Sequence, residues 1–93
     1  RVQIMDMKQS IASRLKTLEP RIFEFQDDSH LHVGHAGNRG GGHYSILVVS
    51  TLFRDTPRLE RQRTVKGLLQ DLFSDGLIHA LSIKALTPEE YFN

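Results

Sequence analysis

The amino-acid sequence predicts an α+β domain ordered α-β-β-α-β and closed by a short terminal helix, with helices covering one face of a three-stranded mixed sheet. Three observations predict it. Two segments repeat apolar residues at helical spacing, and three shorter runs are rich in aromatic and β-branched residues. The longest polar stretch falls between the first two of those runs, where it reads as the loop of a hairpin. The 93 residues suit a single domain, expected over 1–93, because a second core would bury too little surface to be stable.

Arg1 to Met5 carry no usable pattern and are expected to be disordered or extraneous to the domain. The first helix is predicted to start at Asp6, whose carboxylate can accept from free first-turn amides, with Gln9 three residues on resembling a capping box. Ile11, Leu15 and Leu18 make its buried stripe, and Pro20 ends it by restricting the residue before it. Ile22 to Gln26 reads as a strand with Phe23 and Phe25 on one face and Glu24 on the other. Asp27 to Gly42 is a polar loop holding five of the seven glycines, a length that in compact domains marks function or disorder. Tyr44 to Val49 is the strongest strand signal, and its unbroken Ile46-Leu47-Val48-Val49 run predicts a central strand buried on both faces.

A turn around Asp55-Thr56-Pro57 precedes a second helix, predicted from about Arg58 to Phe73, with Val65, Leu68, Leu69, Leu72 and Phe73 as its stripe. Gly67 inside it costs about 1 kcal/mol relative to Ala. Asp75-Gly76 is a stop signal. Ile78 to Ala85 is predicted as the third strand, with His79, Leu81 and Ile83 on one face and Ala80, Ser82 and Lys84 on the other. Thr87-Pro88-Glu89-Glu90 starts the terminal helix. Since a helix crosses from the second strand to the third, those two strands are expected to be parallel.

Composition excludes several function classes. With 39% hydrophobic and 25% charged residues the chain suits a soluble globular protein, and no apolar run approaches the roughly 20 residues of a membrane span. The absence of Cys excludes a disulfide framework, a thiolate nucleophile and an all-thiolate metal site, and a cytoplasmic location is expected. Twelve Lys+Arg against eleven Asp+Glu leave a net charge of +1, with no strong field toward nucleic acid or anionic lipid. No Gly-x-Ser-x-Gly elbow, His-Glu-x-x-His helix or Walker loop is present, and Asp27 and Asp28 point apart as neighbours on a strand end, so no enzyme is expected.

The unusual feature is five histidines, four of them between His30 and His43. Neutral imidazole binds borderline transition metals, and several in one loop can converge on one ion. His30 and His32 alternate, with a turn at Gly34 needed to bring His35 to them; the same residues also suit a solvated glycine-rich loop. His79 suits a hydrogen-bonded structural residue as well as a ligand. Gly34–Gly37 and Gly37–Gly40 match a GXXG backbone clamp, here between strands rather than helices. Arg58, Arg61, Arg63 and Lys66 suit phosphate contacts or a solvated helix start, with Arg61 close enough to the apolar stripe for its stem to pack.

Asp27-Asp28-Ser29-His30-Leu31-His32-Val33-Gly34-His35-Ala36-Gly37, Gly42-His43-Tyr44, Ile78-His79-Ala80-Leu81-Ser82-Ile83 and Thr87-Pro88-Glu89 together resemble the BolA family, in residues and in spacing, from about Met7 to Tyr91. The resemblance implies a class II KH-like fold and a non-enzymatic partner of monothiol glutaredoxins that shares a bridging [2Fe-2S] cluster, in iron-sulfur cluster trafficking or iron/redox regulation. It implies His79 as one iron ligand and His32 as the loop ligand, with His35 as the alternative; the glutaredoxin Cys and the glutathione thiol would complete the set. The isolated chain, a monomer or weak homodimer with no membrane partner, is then expected to hold no cluster tightly. Imidazole in place of thiolate raises a cluster's potential. An isolated imidazole titrates near about pH 6.5 and must be unprotonated to ligate, so an acid-sensitive docking surface is expected. Some BolA relatives are described as transcriptional regulators, which implies DNA binding through Arg58, Arg61, Arg63 and Lys66 as the alternative. Two positions depart from the family's habit: Arg61-Gln62-Arg63 stands where Arg-His-Arg is frequent, and Gly42 where Thr or Ser usually precedes the His-aromatic pair.

Overall fold

The computed structural model describes residues 6–29 and 42–93; the expectations for residues 1–5 fall outside them. The first helix, α1 (Met7–Arg14), opens on the predicted capping box, with Asp6 accepting the Gln9 N–H at 2.8 Å and the Gln9 side chain accepting the Asp6 N–H. It gives way at Leu15 to a 3-10 turn, Lys16–Leu18, and Glu19 enters the left-handed region at φ 49° before Pro20. Ile11, Leu15 and Leu18 are buried as predicted.

Three strands follow: β1 (Ile22–Asp27), β2 (Gly42–Val49) and β3 (Ile78–Leu86). They lie in the order β1-β2-β3, with β1 antiparallel and β3 parallel to the central β2. The hairpin strands extend further toward the loop than predicted. Asp27 pairs with Tyr44, and the Gly42 N–H reaches the Leu77 carbonyl at 3.0 Å, so β2 begins two residues before Tyr44. Ile46, Val48 and Val49 are buried but Leu47 is only half-buried, so burial on both faces holds at the end of β2 and not along the whole run.

The predicted second helix is two: α2 (Arg58–Leu68) and α3 (Gln70–Ser74). Between them the Leu69 N–H is shared by the Lys66 and Gly67 carbonyls, which tightens the turn and interrupts the regular ladder. The apolar stripe survives the break, since Val65, Leu69 and Leu72 remain buried. α3 ends in a Schellman motif: Gly76 (φ 77°) donates to the Phe73 carbonyl at 3.1 Å and Leu77 to the Leu72 carbonyl at 3.0 Å. Glycine adopts that left-handed conformation without a Cβ clash. The terminal helix α4 (Pro88–Phe92) starts on the predicted reciprocal pair of Thr87 and Glu90.

Ile11, Leu15, Val65, Leu69 and Leu72 meet Ile46, Val48, Ile78 and Ala85 in one buried cluster, so the helices share one sheet face. Arg61 enters this interior as well. Its Nε donates to the Thr56 carbonyl at 2.8 Å, and its Nη1 to the Ala85 carbonyl at 3.0 Å and to Glu90 Oε1 at 2.7 Å. Its guanidinium also lies 5.9 Å from the Phe53 ring centroid. The considered phosphate contact at Arg61 is therefore corrected, because its donors are taken up where α2, the end of β3 and α4 meet. Among the described residues no helix is long and apolar enough to cross a membrane.

Hydrogen bonding to Arg61 holds the Glu90 carboxyl far below its ordinary value, at about 2, and Arg54 does the same for Glu89, also to about 2. Both values are depressed on folding, so the stability they contribute is complete above the ordinary carboxyl value of 4.5 and is lost as pH falls toward about 2. Thermal melts followed by circular dichroism should show the melting temperature falling through that window. Glu90→Gln should make the fall shallower, with Glu89 retaining its own share.

Candidate functional site at the start of the third strand

The pairing of β2 with β3 contains one irregularity, and it lies at a histidine. Gly42 pairs with Ile78, but the next residue, His43, pairs with Ala80, so β3 carries His79 as an extra residue. Strict alternation would place Ile78 on the opposite face from Leu81, Ile83 and Ala85. The shift lets Ile78 enter the core, where Ala85 is also buried and Leu81 and Ile83 pack against the cluster. His79 is left exposed. The expectation that His79 shares a face with Leu81 and Ile83 is corrected by this bulge.

His79 does not stand alone. The His43 and His79 ring centroids lie 5.0 Å apart, with their planes inclined at 48°. Both side chains belong to paired strands, which fixes where each ring originates. His43 alternates along β2 with Ser45 and Leu47, away from the face that carries Ile46 and Val48 into the core.

The chain leaving β1 is tied to the same place. The Asp28 N–H donates to the His43 carbonyl at 2.7 Å, and Ser29 Oγ accepts the His43 N–H at 3.0 Å. The Asp28 carboxylate accepts from Ser45 Oγ at 2.5 Å and Gln26 Nε2 at 2.8 Å, while the Ser29 N–H donates to Asp27 Oδ1 at 2.9 Å. Asp27-Asp28-Ser29 thus stitches one mouth of the hairpin loop to β2 at His43. A shallow cavity of about 370 Å³ beside these groups is lined by Asp28, His43, Ser45, Ala80 and Ser82.

Gly42 has a steric reason. A Cβ there would fall 2.0 Å from Cζ and Oη of Tyr44, whose ring occupies that space and lies 5.4 Å from the Phe25 ring. Burial and then the Asp27 charge push the Tyr44 hydroxyl pKa up, against a hydrogen bond with Ser29 that lowers it. Gln62, the other departure, donates to the Ile83 carbonyl at 2.7 Å and so caps part of the outer edge of β3.

Of the residues singled out in the sequence, His79 is exposed on the edge strand β3, and His30, His32 and His35 lie outside the described residues. Arg58 and Arg63 are exposed on α2, 3.4 Å from Glu90 and 2.9 Å from Glu60 respectively, and Lys66 Nζ sits 5.3 Å from the Phe73 ring centroid. Among the described residues no group of three or more His, Cys, Asp or Glu side chains is arranged to hold a metal ion. The side chain that sequence reasoning missed as a site residue is His43. The available signal was that His43 and His79 each stand near the start of a strand expected to be parallel to the other.

Comparison with known proteins gives a consistent result. Residues 15–90 match the family model described as BolA-like protein. The chain is 41% identical over 81 residues to SufE-like protein 1, chloroplastic/mitochondrial, of Arabidopsis thaliana, covering 81% of this chain and 22% of that protein. It is 28% identical over 88 residues to the DNA-binding transcriptional regulator BolA of Haemophilus influenzae, covering 94% and 82%. In structure it is similar to the BolA domain of SufE1 from Arabidopsis thaliana, with a TM-score of 0.78, 36% identity and coverage of 95% and 99%. The chain spans less than two thirds of the length of several curated relatives, 22% of the plant SufE-like protein among them.

Two outcomes test the local design. Gly42→Ala should lower stability in urea by about 1–3 kcal/mol through the clash with Tyr44, and in a Tyr44→Ala background the same change should cost little. Ser29→Ala removes the acceptor of the His43 N–H; amide exchange at His43 should quicken about tenfold while Val48, deep in the sheet, is unaffected.

Proposed function

The chain belongs to the BolA-like family, and from that premise we propose that it is a non-enzymatic partner of a monothiol glutaredoxin, with which it shares a bridging [2Fe-2S] cluster. The cluster is cargo in iron-sulfur trafficking or in iron/redox regulation. The observation that supports this most is His79: an exposed imidazole, set off the core face by the bulge, on a backbone held by strand pairing. A ligand on a paired strand is preorganised, so little freedom is lost when it meets a metal presented by another protein.

The chemistry of the donors agrees. The chain has no Cys and supplies imidazole only, so the thiolates would be the glutaredoxin Cys and the thiol of glutathione. In this reading His79 ligates one iron and His32, or His35 in its stead, provides the second imidazole from the loop. Imidazole ligation on one iron raises the cluster potential relative to an all-thiolate set. DNA binding, suggested by the name of the Haemophilus relative, would lose Arg61 from its four candidate cations, since that residue is buried, and keep Arg58, Arg63 and Lys66. Two of these three lie within 4 Å of a glutamate, and the net charge of +1 adds little attraction.

Mixing the chain with cluster-loaded monothiol glutaredoxin should change the visible circular dichroism of the cluster, and His79→Ala should abolish or alter that change. An unchanged spectrum, or the same change with His79→Ala, would contradict the proposal.

A further inference from the structure

We infer that His43 and His79 form a two-imidazole site for one borderline divalent transition-metal ion of the Zn²⁺ class, built on the paired strands and independent of the loop histidines. Zn²⁺ binds imidazole nitrogen at about 2.0–2.1 Å, which puts a ring centroid about 3.2 Å from the ion; two rings around a tetrahedral centre then have centroids about 5 Å apart. The observed separation is 5.0 Å. The 48° inclination is neither a parallel stack nor a perpendicular edge contact.

The surroundings favour a cation. The Asp28 carboxylate lines the cavity that His43 lines and is oriented by Ser45 and Gln26, contributing negative charge without having to ligate. The Ser29 and Asp28 bonds to the His43 backbone hold that strand position, while the bulge sets His79 beside it. Two protein ligands leave two positions of a tetrahedral ion open to water or to donors from another molecule, one fewer protein ligand than a catalytic zinc site has. An ion bound here occupies the imidazole assigned above to the cluster, so metal loading and cluster sharing would exclude one another. That consequence, though not the site itself, rests on the cluster proposal.

The test uses the full chain and Zn²⁺ alone, titrated while the histidine ring C–H signals are followed by nuclear magnetic resonance. The wild type and a His30→Ala/His32→Ala/His35→Ala triple variant should both show a 1:1 response in which the His43 and His79 rings move together. His79→Ala and His43→Phe, the latter filling the ring volume without a donor nitrogen, should each weaken binding at least about tenfold, because a second preplaced ligand adds its bond without a separate loss of freedom. His43→Asn carries the same expectation if the Phe variant fails to give a folded amide spectrum. A response that disappears in the triple variant, or Zn²⁺ binding by the His43 variants equal to the wild type, overturns the inference. No glutaredoxin is present, so failure here leaves the cluster proposal standing, and an unchanged dichroism in the mixing experiment leaves this one standing.

Discussion

The pairing of β2 with β3 carries a constraint on which the rest of the structure depends. Ile78 and the Leu81-Ile83-Ala85 series must all face the helices, yet odd and even positions of a regular strand face opposite ways. Burying a large aliphatic side chain stabilises by about 1.5–3 kcal/mol, enough to favour a local irregularity over leaving Ile78 in water. The one-residue shift between Gly42 and His43 meets the demand. Its by-product is a side chain with no place in the core, and that side chain is His79. The candidate site is therefore a consequence of how the core is filled.

Opposite ends of β3 are held by different means. At its carboxyl end Arg61 binds the Ala85 carbonyl and Glu90, joining α2 to α4, and the Ser50 N–H donates to the Leu86 carbonyl at 3.0 Å while Ser50 Oγ donates to the Leu18 carbonyl at 2.5 Å. At its amino end the described ties are the Schellman turn before Ile78, the Gly42–Leu77 bond and the Asp28-Ser29 contacts with His43. The amino end carries the exposed His79 and the half-buried His43, where another molecule can approach the His79 ring. Removing Arg61 from the cationic set follows from the same division, since its charge serves the anchored end.

Legibility in the sequence followed the range of the interaction concerned. Caps and stops act within one turn, and Asp6 with Gln9, Asp75-Gly76 and Thr87 with Glu90 all behave as their residue types predict. The α-β-β-α-β order and the parallel third strand were legible too, because hydrophobic periodicity and crossover handedness decide them. The break at Leu69 was not, since residues Val65 to Phe73 keep a helical apolar pattern across it and only the shared carbonyls interrupt the ladder. Nor was the bulge. It depends on how two segments far apart in the chain align, and alternation read along β3 alone put His79 on the wrong face. For the same reason His43 could be seen as part of a motif but not as the neighbour of His79.

The most direct check is a nuclear Overhauser measurement between imidazole ring protons in the metal-free chain. Cross-peaks linking the His43 and His79 rings, together with contacts from the Ile78 methyls to the helix side chains of the core, are the result this account predicts. Ile78 methyls without core contacts, with the His79 ring packed against the Leu81 and Ile83 side of the sheet instead, would contradict it.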